Sequence, residues 1–208
     1  MKTFKAYLLE DPVLTPENSN ASLVIFDIDD TLLHTTAKIK VLKGNKVVRE
    51  LSNQDFNNYE LKDKESFDFG EFRNAALFNK ESKPISNMIK KLKLIMNHTS
   101  NSKVIMLTAR ADFDDKHKFL KTFSDLGIDM SKVHVHRAGN VPGDDKPAEK
   151  KVVWVKRYLE TKQYTHVRLY DDSRANLSAF LKVSKEYPDV DFGAFFVDES
   201  GNVKKITK

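Results

Sequence analysis

Short apolar runs, each followed directly by polar residues, recur along this chain of 208 residues. The first run occupies residues 23–26 (LVIF), and similar runs occupy 104–107 and 194–197. A further strand, which contains one arginine, is predicted at 167–170 (VRLY). Continuous apolar runs of four residues are typical of strands buried on both faces, as in a parallel sheet. A further short strand is predicted at 133–135. This pattern restricts the fold more than any other feature of the sequence.

Stretches with helical periodicity separate these runs. From Pro84, which suits a first helical turn, apolar residues recur on one face up to Ile95. Further helices are predicted over 112–126, 147–161 and 175–185. Strands that alternate with helices predict an α/β fold, a Rossmann-like three-layer sandwich around a mostly parallel sheet.

Residues 33–83 follow a different pattern. A hairpin is predicted over 38–48, with its turn at Gly44-Asn45, and a short phenylalanine-containing helix around 70–78. We interpret 33–83 as a small flap or cap inserted within a domain that spans 21–208. Residues 1–20 are polar and form an N-terminal extension.

Composition excludes several kinds of chemistry. The chain contains no cysteine, so disulfides, thiolate metal sites and cysteine catalysis are excluded. It shows no signal peptide and no apolar run long enough for a membrane span, so a cytoplasmic protein without a membrane partner is expected. The formal net charge of +5 favours anionic partners, including nucleic acid.

Three of the predicted strands end in polar residues of a particular kind. The first is followed by residues 27–31 (DIDDT), the second by 108–110 (TAR) and the fourth by 171–173 (DDS). In open α/β sheets, ligands bind at the carboxyl ends of the strands. The three segments are therefore expected on one rim of the sheet.

The residue types in the first segment suit phosphoryl transfer. Asp27 and Asp29 are two residues apart, so they can project to the same side of a strand end. One carboxylate can attack phosphorus while the other acts as a general acid and then as a base. Packed carboxylates repel one another unless a cation lies among them, and oxygen ligands favour Mg²⁺. Asp171 or Asp172 can complete the metal site.

The remaining candidates surround the phosphoryl group. Thr108 can hydrogen-bond phosphoryl oxygens within the candidate phosphate-binding segment Thr108-Ala109-Arg110, and a lysine after the third strand can neutralise charge. Arg110 has two interpretations, a phosphate ligand or a structural ion pair. Acidic residues after strands are also common as helix N-caps, which accounts for Asp171-Asp172 but poorly for the cluster after 23–26.

These segments together resemble the haloacid dehalogenase-like (HAD) superfamily of phosphatases. Residues 27–31 resemble motif I, Thr108 motif II, a lysine within 146–151 motif III, and Asp171-Asp172 the paired-aspartate form of motif IV. The resemblance implies that Asp27 forms a phosphoaspartate and binds the metal, and that Asp29 is the general acid/base and binds the metal through its backbone carbonyl. It also implies that Thr31 supports the motif I loop, that Thr108 holds phosphate, and that Asp171, Asp172 or both hold Mg²⁺.

The motif III lysine has two candidates. Lys146 precedes Pro147, as in many family members, whereas Lys150 lies one turn into the predicted helix. The position of Lys150 fits better with the phosphatase part of phage polynucleotide kinases, which the chain resembles more loosely. Both lysines are therefore phosphate-site candidates.

The resemblance implies a Mg²⁺-dependent phosphomonoester hydrolase with an aspartyl-phosphate intermediate. A minimal cap is similar to that of members that act on exposed phosphates, so nucleotides or polynucleotide 3′-phosphate ends are candidate substrates. The alternative within the same class is a 5′-nucleotide or other small-molecule phosphatase. An alternative of another class is a receiver-like phosphoacceptor signalling domain, although a receiver carries its acidic pair before the acceptor aspartate.

Overall fold

The computed structural model describes residues 21–98 and 102–206. The N-terminal extension predicted over 1–20 lies outside these residues. Eleven strands are found in the described part of the chain: β1 (Ala21–Phe26), β2 (Leu33–His34), β3 (Ile39–Lys43), β4 (Lys46–Leu51), β5 (Glu65–Asp68), β6 (Lys83–Pro84), β7 (Ser102–Thr108), β8 (His134–Arg137), β9 (Tyr164–Asp171), β10 (Asp191–Val197) and β11 (Val203–Ile206).

Six of these strands form the central sheet, in the order β11-β10-β9-β1-β7-β8. All neighbours are parallel except the antiparallel pair β10 and β11. From β1 the chain adds β7 and β8 on one side, then crosses to add β9 and β10 on the other. The gap between β1 and β9 is therefore a topological switch point, where α/β proteins bind ligands beyond the carboxyl ends of the strands.

Helices cover both faces of this sheet. In the described residues the helices are α1 (Asn53–Asn58), α2 (Gly70–Arg73), α3 (Ala75–Glu81), α4 (Ser86–His98), α5 (Lys116–Asp125), α6 (Pro147–Leu159) and α7 (Arg174–Val183). Val24 and Phe26 of β1 share a core with α4 and α5. Leu23 and Ile25 share the opposite core with α6 and α7. Alternate side chains of one buried strand thus serve two cores.

The molecule is therefore an α/β protein with a mostly parallel central sheet and helices, compatible with the predicted Rossmann-like sandwich. The predicted strands at 23–26, 104–107, 167–170 and 194–197 lie in β1, β7, β9 and β10, and 133–135 overlaps β8. The mostly parallel sheet is confirmed. No helix among the described residues is long and apolar enough to span a membrane.

Residues 33–83 lie outside the central sheet, and their two ends lie side by side. The two ends of this segment pair with each other as β2 and β6, because Leu33 lies opposite Pro84. Between them, β3 pairs with both β4 and β5 in a separate antiparallel sheet. This sheet has a small core of its own around Ile39, Val41 and Leu51. We call residues 33–83 the insertion.

Several element boundaries differ from the sequence prediction. Pro84 lies in β6, and α4 begins only at Ser86, because the chain first closes the insertion through the pair β2–β6. Helix α5 begins at Lys116 because the side chain of Asp115 caps it, four residues after the predicted start. Its predicted end at Gly127 is confirmed by a positive φ of 73° there. Elements β2, β5, β6, β11 and α1 are not predicted by the sequence.

Candidate active site

Three carboxylates meet at the switch point between β1 and β9. Asp27 follows β1 directly, and Asp171 is the last residue of β9. Asp27 and Asp171 are 5% and 0% exposed, and Asp172 is half-buried. Each of the three offers a carboxylate oxygen, and these oxygens lie within 4.8 Å of one another. We call Asp27, Asp171 and Asp172 the carboxylate cluster.

Lys151 of α6 reaches into this cluster. Its Nζ donates to Asp27 Oδ1 at 2.6 Å and to Asp171 Oδ2 at 2.8 Å. The side chain of Lys151 is buried, as are both acceptors. Lys151 therefore bridges the carboxylates that follow the two neighbouring strands.

The charges in the cluster do not balance. If all three carboxylates are ionised, the single ammonium group leaves two negative charges unmatched. Burial raises the pKa of Asp27 well above its usual value, and the charges of Asp171, Asp172 and Asp29 add to this while Lys151 opposes it. Burial and the charge of Asp171 similarly raise the pKa of Asp172 to about 8. A divalent cation held by oxygen ligands would match the missing charge, so these residues fit the predicted Mg²⁺.

The same carboxylates fix the charge of Lys151. Burial alone would lower the pKa of this lysine, but the charges of Asp171 and Asp27 and the hydrogen bonds to both outweigh it. The net effect raises the pKa of Lys151 above its usual value. Lys151 is therefore an ammonium cation at neutral pH, beside the carboxylate proposed from the sequence as the nucleophile.

Neighbouring backbone and side-chain groups orient Asp171 and Asp172. Asp171 accepts hydrogen bonds from Ser173 N at 2.8 Å and from Asn176 Nδ2 at 2.9 and 3.0 Å. Thr31 Oγ1 accepts from Asp172 N at 3.0 Å. The fully buried Thr31 thus connects the loop after β1 to the loop after β9.

Asp29 lies beside the end of β7 rather than within the carboxylate cluster. Arg110 donates two hydrogen bonds to the Asp29 carboxylate, from Nε to Oδ2 at 2.9 Å and from Nη2 to Oδ1 at 2.6 Å. Thr108 Oγ1 donates to Asp29 Oδ2 at 3.4 Å and accepts from Arg110 N at 3.1 Å. The structure thus brings the predicted residues Asp29, Thr108 and Arg110 together.

The contacts of Arg110 decide between its two interpretations. Besides Asp29, its Nη1 donates to the carbonyl oxygen of Phe72 in α2 at 2.8 Å. Its guanidinium carbon lies 4.4 Å from the ring centroid of Phe72 and 4.8 Å from that of Phe78. The side chain is 1% exposed. Arg110 therefore forms a buried structural ion pair and is not presented to a phosphate group.

The lysine that contacts the carboxylate cluster is Lys151, and neither Lys146 nor Lys150, the two candidates from the sequence, takes this place. Lys146 is an exposed residue at the N-cap of α6, where its backbone N donates to Glu149 Oε2 at 3.0 Å. Lys150 is only half-buried. Successive helical residues are rotated by about 100°, so a helix that directs residue 151 into the site directs residue 150 elsewhere. One signal was available: Lys151 shares a helical face with Val155 and Tyr158, which are buried.

Gly139 supports the segment after β7 and was not predicted as part of the site. A Cβ atom at this position would lie 2.6 Å from Ala109 O and 2.7 Å from Ala111 N. Gly139 N also donates to Arg110 O at 3.2 Å. The close contact needs a residue without a side chain, so Gly139 holds the Thr108–Arg110 segment in place. The side chain of Ala109 itself is exposed.

Comparison with known proteins identifies one family. A family model described as "Protein of unknown function (DUF2608)" matches residues 4–159, which is three quarters of the chain. The matched range contains Asp27, Asp29, Thr108 and Lys151, and it ends before Asp171. A comparison with curated proteins gives no match. The chain belongs to the DUF2608 family.

Proposed function

We propose that the protein is a Mg²⁺-dependent phosphomonoester hydrolase of the HAD type that forms an aspartyl-phosphate on Asp27. One observation carries this proposal: Asp27, Asp171 and Asp172 converge at the switch point of a parallel sheet, with Lys151 bonded to two of them. Buried carboxylates with unmatched negative charge cost stability, and such arrangements are concentrated at functional sites.

The chain's own residues can carry out both steps of the reaction. In the first step, Asp27 Oδ attacks phosphorus, the ester P–O bond breaks, and Asp29 protonates the leaving oxygen. In the second step, water attacks the phosphoaspartate, Asp29 accepts the proton, and the bond between phosphorus and Asp27 breaks to release phosphate. The ion pair with Arg110 fixes the position of the Asp29 side chain in both steps.

Asp27, Asp171 and Asp172 would hold Mg²⁺, which when bound neutralises charge on the phosphoryl oxygens. Lys151 keeps Asp27 in place through its hydrogen bond and adds a positive charge beside the reacting phosphorus. Thr108, which is fully buried, fixes the position of Asp29 relative to β7.

We further propose that residues 21–208 form one HAD-like hydrolase domain and that the insertion acts as its cap. Two contacts support the second assignment. Asn53 of α1 donates to Asp30 Oδ2 at 3.1 Å, and Phe72 of α2 accepts from Arg110. The insertion is therefore hydrogen-bonded to the residue that follows Asp29 in the chain and to the arginine that pairs with Asp29.

Release of phosphate from p-nitrophenyl phosphate tests the proposal. We expect release only with Mg²⁺, and we expect Asp27→Asn to lower kcat by about 10⁴-fold because the nucleophile is lost. Asp125→Asn is the matched control, since Asp125 is exposed on α5 and its carboxylate pairs with Lys121 of the same helix. The control should keep the wild-type rate.

Three outcomes would reject the proposal in different ways. If no phosphomonoester releases phosphate in the presence of Mg²⁺, the protein is not a phosphatase. If Asp27 instead becomes stably phosphorylated and does not turn over, the receiver-like alternative is favoured. Equal rates for wild type and Asp27→Asn would show that another group carries out the chemistry.

A further inference from the structure

Two adjoining cavities open beside the carboxylate cluster. Their volumes are about 750 and 540 Å³, and they share Asp30, Glu199 and Ser200 in their walls. The larger one reaches Asp172 of the cluster. We call the two cavities together the groove. The volume of each cavity lies in the range of pockets that bind small organic molecules.

The groove lies between the insertion and the turn that joins β10 to β11. The insertion contributes Ser52 and Asn53 to the smaller cavity and Asn58 to the larger one. The turn contributes Asp198 and Glu199 on the opposite side. The groove meets the site at Asp172 of the carboxylate cluster and at Asp30, which follows Asp29 in the chain. The leaving group of an ester bound at the cluster would therefore lie between these two walls.

The charge of the groove differs in sign from that of the whole chain. Apart from Asp172, which we assign to the metal site, its acidic side chains are Asp30, Asp198 and Glu199, whereas its Lys and Arg side chains are Lys38 and Arg174. The imidazole of His34 also lies in the wall, 3.5 Å from Asp30. Arg174 is stacked on the ring of Phe196, 4.8 Å from its centroid. The chain as a whole has a formal net charge of +5. Grooves that bind single-stranded nucleic acid are positively charged along the backbone, which this groove is not.

The remaining lining groups are suited to hydroxyls. Serine hydroxyls, asparagine amides and carboxylates offer both donors and acceptors at short range. Asn53 Nδ2 donates to Asp30 Oδ2 at 3.1 Å, so an amide and a carboxylate lie next to each other in the lining of the groove. Thr35 also lines the groove, and its buried Oγ1 has no hydrogen-bond partner among the described residues.

We propose that the substrate is a small phosphomonoester whose leaving group is uncharged and rich in hydroxyls, which is the chemistry of sugar and polyol phosphates. This inference rests on the proposed phosphatase function and goes beyond it. It replaces the sequence-based expectation of polynucleotide 3′-phosphate ends, because a chain of phosphates would bring further negative charge against Asp30, Asp198 and Glu199. A neutral polyol can instead pair its hydroxyls with these carboxylates.

Values of kcat/KM for three kinds of substrate test the inference. The panel consists of hexose and polyol phosphates, an oligonucleotide with a 3′-phosphate, and p-nitrophenyl phosphate as a reference without hydroxyls. We expect the preferred sugar or polyol phosphate to exceed the oligonucleotide by about a hundredfold or more, since hydrogen-bonding sites discriminate strongly. An oligonucleotide that equals or exceeds every sugar and polyol phosphate would overturn the inference.

A charge-reversal variant tests the role of the groove wall. Glu199→Lys should lower kcat/KM for the preferred sugar or polyol phosphate and raise it for the oligonucleotide, changing their ratio by about tenfold or more. Glu160→Lys is the matched control, because Glu160 is exposed at the far end of α6. It should leave the ratio unchanged, and equal ratios in both variants would count against the groove as the leaving-group site.

The outcomes for the inference and for the proposed function are distinct. Hydrolysis of p-nitrophenyl phosphate together with a preference for the oligonucleotide would reject only the substrate class. Hydrolysis of no member of the panel would reject the phosphatase function itself. Both variants alter exposed residues, so a cooperative thermal unfolding transition close to that of the wild type should accompany each measurement.

Discussion

Lys151 is the residue on which the arrangement of the site depends most. It comes from α6, yet it contacts the carboxylate after β1 and the carboxylate that ends β9. Like charges at this distance repel strongly when buried, and a shared ammonium group offsets that repulsion. The helix and the two strands therefore meet through one side chain.

Replacing Lys151 should destabilise the metal-free protein. Lys151→Gln removes the charge that faces Asp27 and Asp171, and breaking a buried pair in this way costs about 3–5 kcal/mol. Urea denaturation in a chelating buffer measures the change in the free energy of unfolding.

Lys150→Gln is the matched control for Lys151→Gln. Lys150 is the adjacent half-buried lysine, and its replacement should change the free energy of unfolding by less than about 0.5 kcal/mol. If Lys151→Gln were as stable as the wild type, or if Lys150→Gln were the destabilised variant, our assignment of the site lysine would be wrong.

At the scale of elements, the segment after β7 depends on the loop after β8. Gly139 packs against Ala109 and Ala111 so closely that a Cβ atom would overlap their backbone atoms. Gly139→Ala should therefore displace the segment that carries Thr108 and Arg110. A displacement of about 1 Å can reduce catalysis a hundredfold, and we expect kcat/KM for p-nitrophenyl phosphate to fall by that order.

Gly44→Ala separates this effect from simple backbone strain. Gly44 lies in the hairpin turn of the insertion with a positive φ of 61°, and a Cβ atom there would meet no atom of the described residues within 4 Å apart from its chain neighbours. Both variants should lose stability, by about 1–2 kcal/mol for Gly44→Ala, but only Gly139→Ala should lose activity. Full activity in Gly139→Ala would contradict the role we assign to this contact.

The sequence predicts elements well where burial determines the pattern. The segments at 23–26, 104–107, 167–170 and 194–197 all lie in strands, because both faces of these strands pack against helices. The sequence predicts elements poorly where pairing between distant segments determines the structure. Pro84 suits a helix start locally, but its pairing with Leu33 closes the insertion and delays α4. The two-residue strands β2 and β6 have no pattern to detect.

The residues of the candidate site likewise divide into those that the local pattern predicts and those that depend on tertiary packing. Asp27, Thr108 and Asp171 were predictable because each follows or ends a buried strand, and parallel strands bring their carboxyl ends to one rim. The site lysine lies within a helix, so its identity depends on the rotation of α6 against the sheet. Local features such as Pro147 favoured Lys146, whereas only the buried face shared with Val155 indicated Lys151.

At the scale of the whole molecule, the site joins elements from both faces of the sheet and from the insertion. Because the carboxylate cluster is short of positive charge, we expect Mg²⁺ to stabilise the folded protein if it binds there as we propose. With Mg²⁺ at about 100 times its dissociation constant, the free energy of unfolding should rise by about 2.7 kcal/mol. Thermal unfolding with Mg²⁺ and with a chelator measures this difference.

Two variants define the origin of that stabilisation. Asp171→Asn removes a carboxylate from the cluster, so most of the rise in Tm with Mg²⁺ should disappear. Asp125→Asn removes an exposed carboxylate on α5 and should keep the full rise. A wild-type Tm that does not respond to millimolar Mg²⁺ would contradict a metal site at the cluster.

The formation of phosphoaspartate at Asp27 is the central claim, and acid quenching tests it most directly. Protein turning over p-nitrophenyl phosphate with Mg²⁺ is denatured in acid, and its peptides are analysed by mass spectrometry. We predict phosphate on the peptide that contains Asp27, and none when Mg²⁺ is chelated. Asp29→Asn should carry more of it, because p-nitrophenolate departs without being protonated whereas the second step lacks its base. Sustained phosphate release with an unmodified Asp27 peptide in both proteins would contradict the claim.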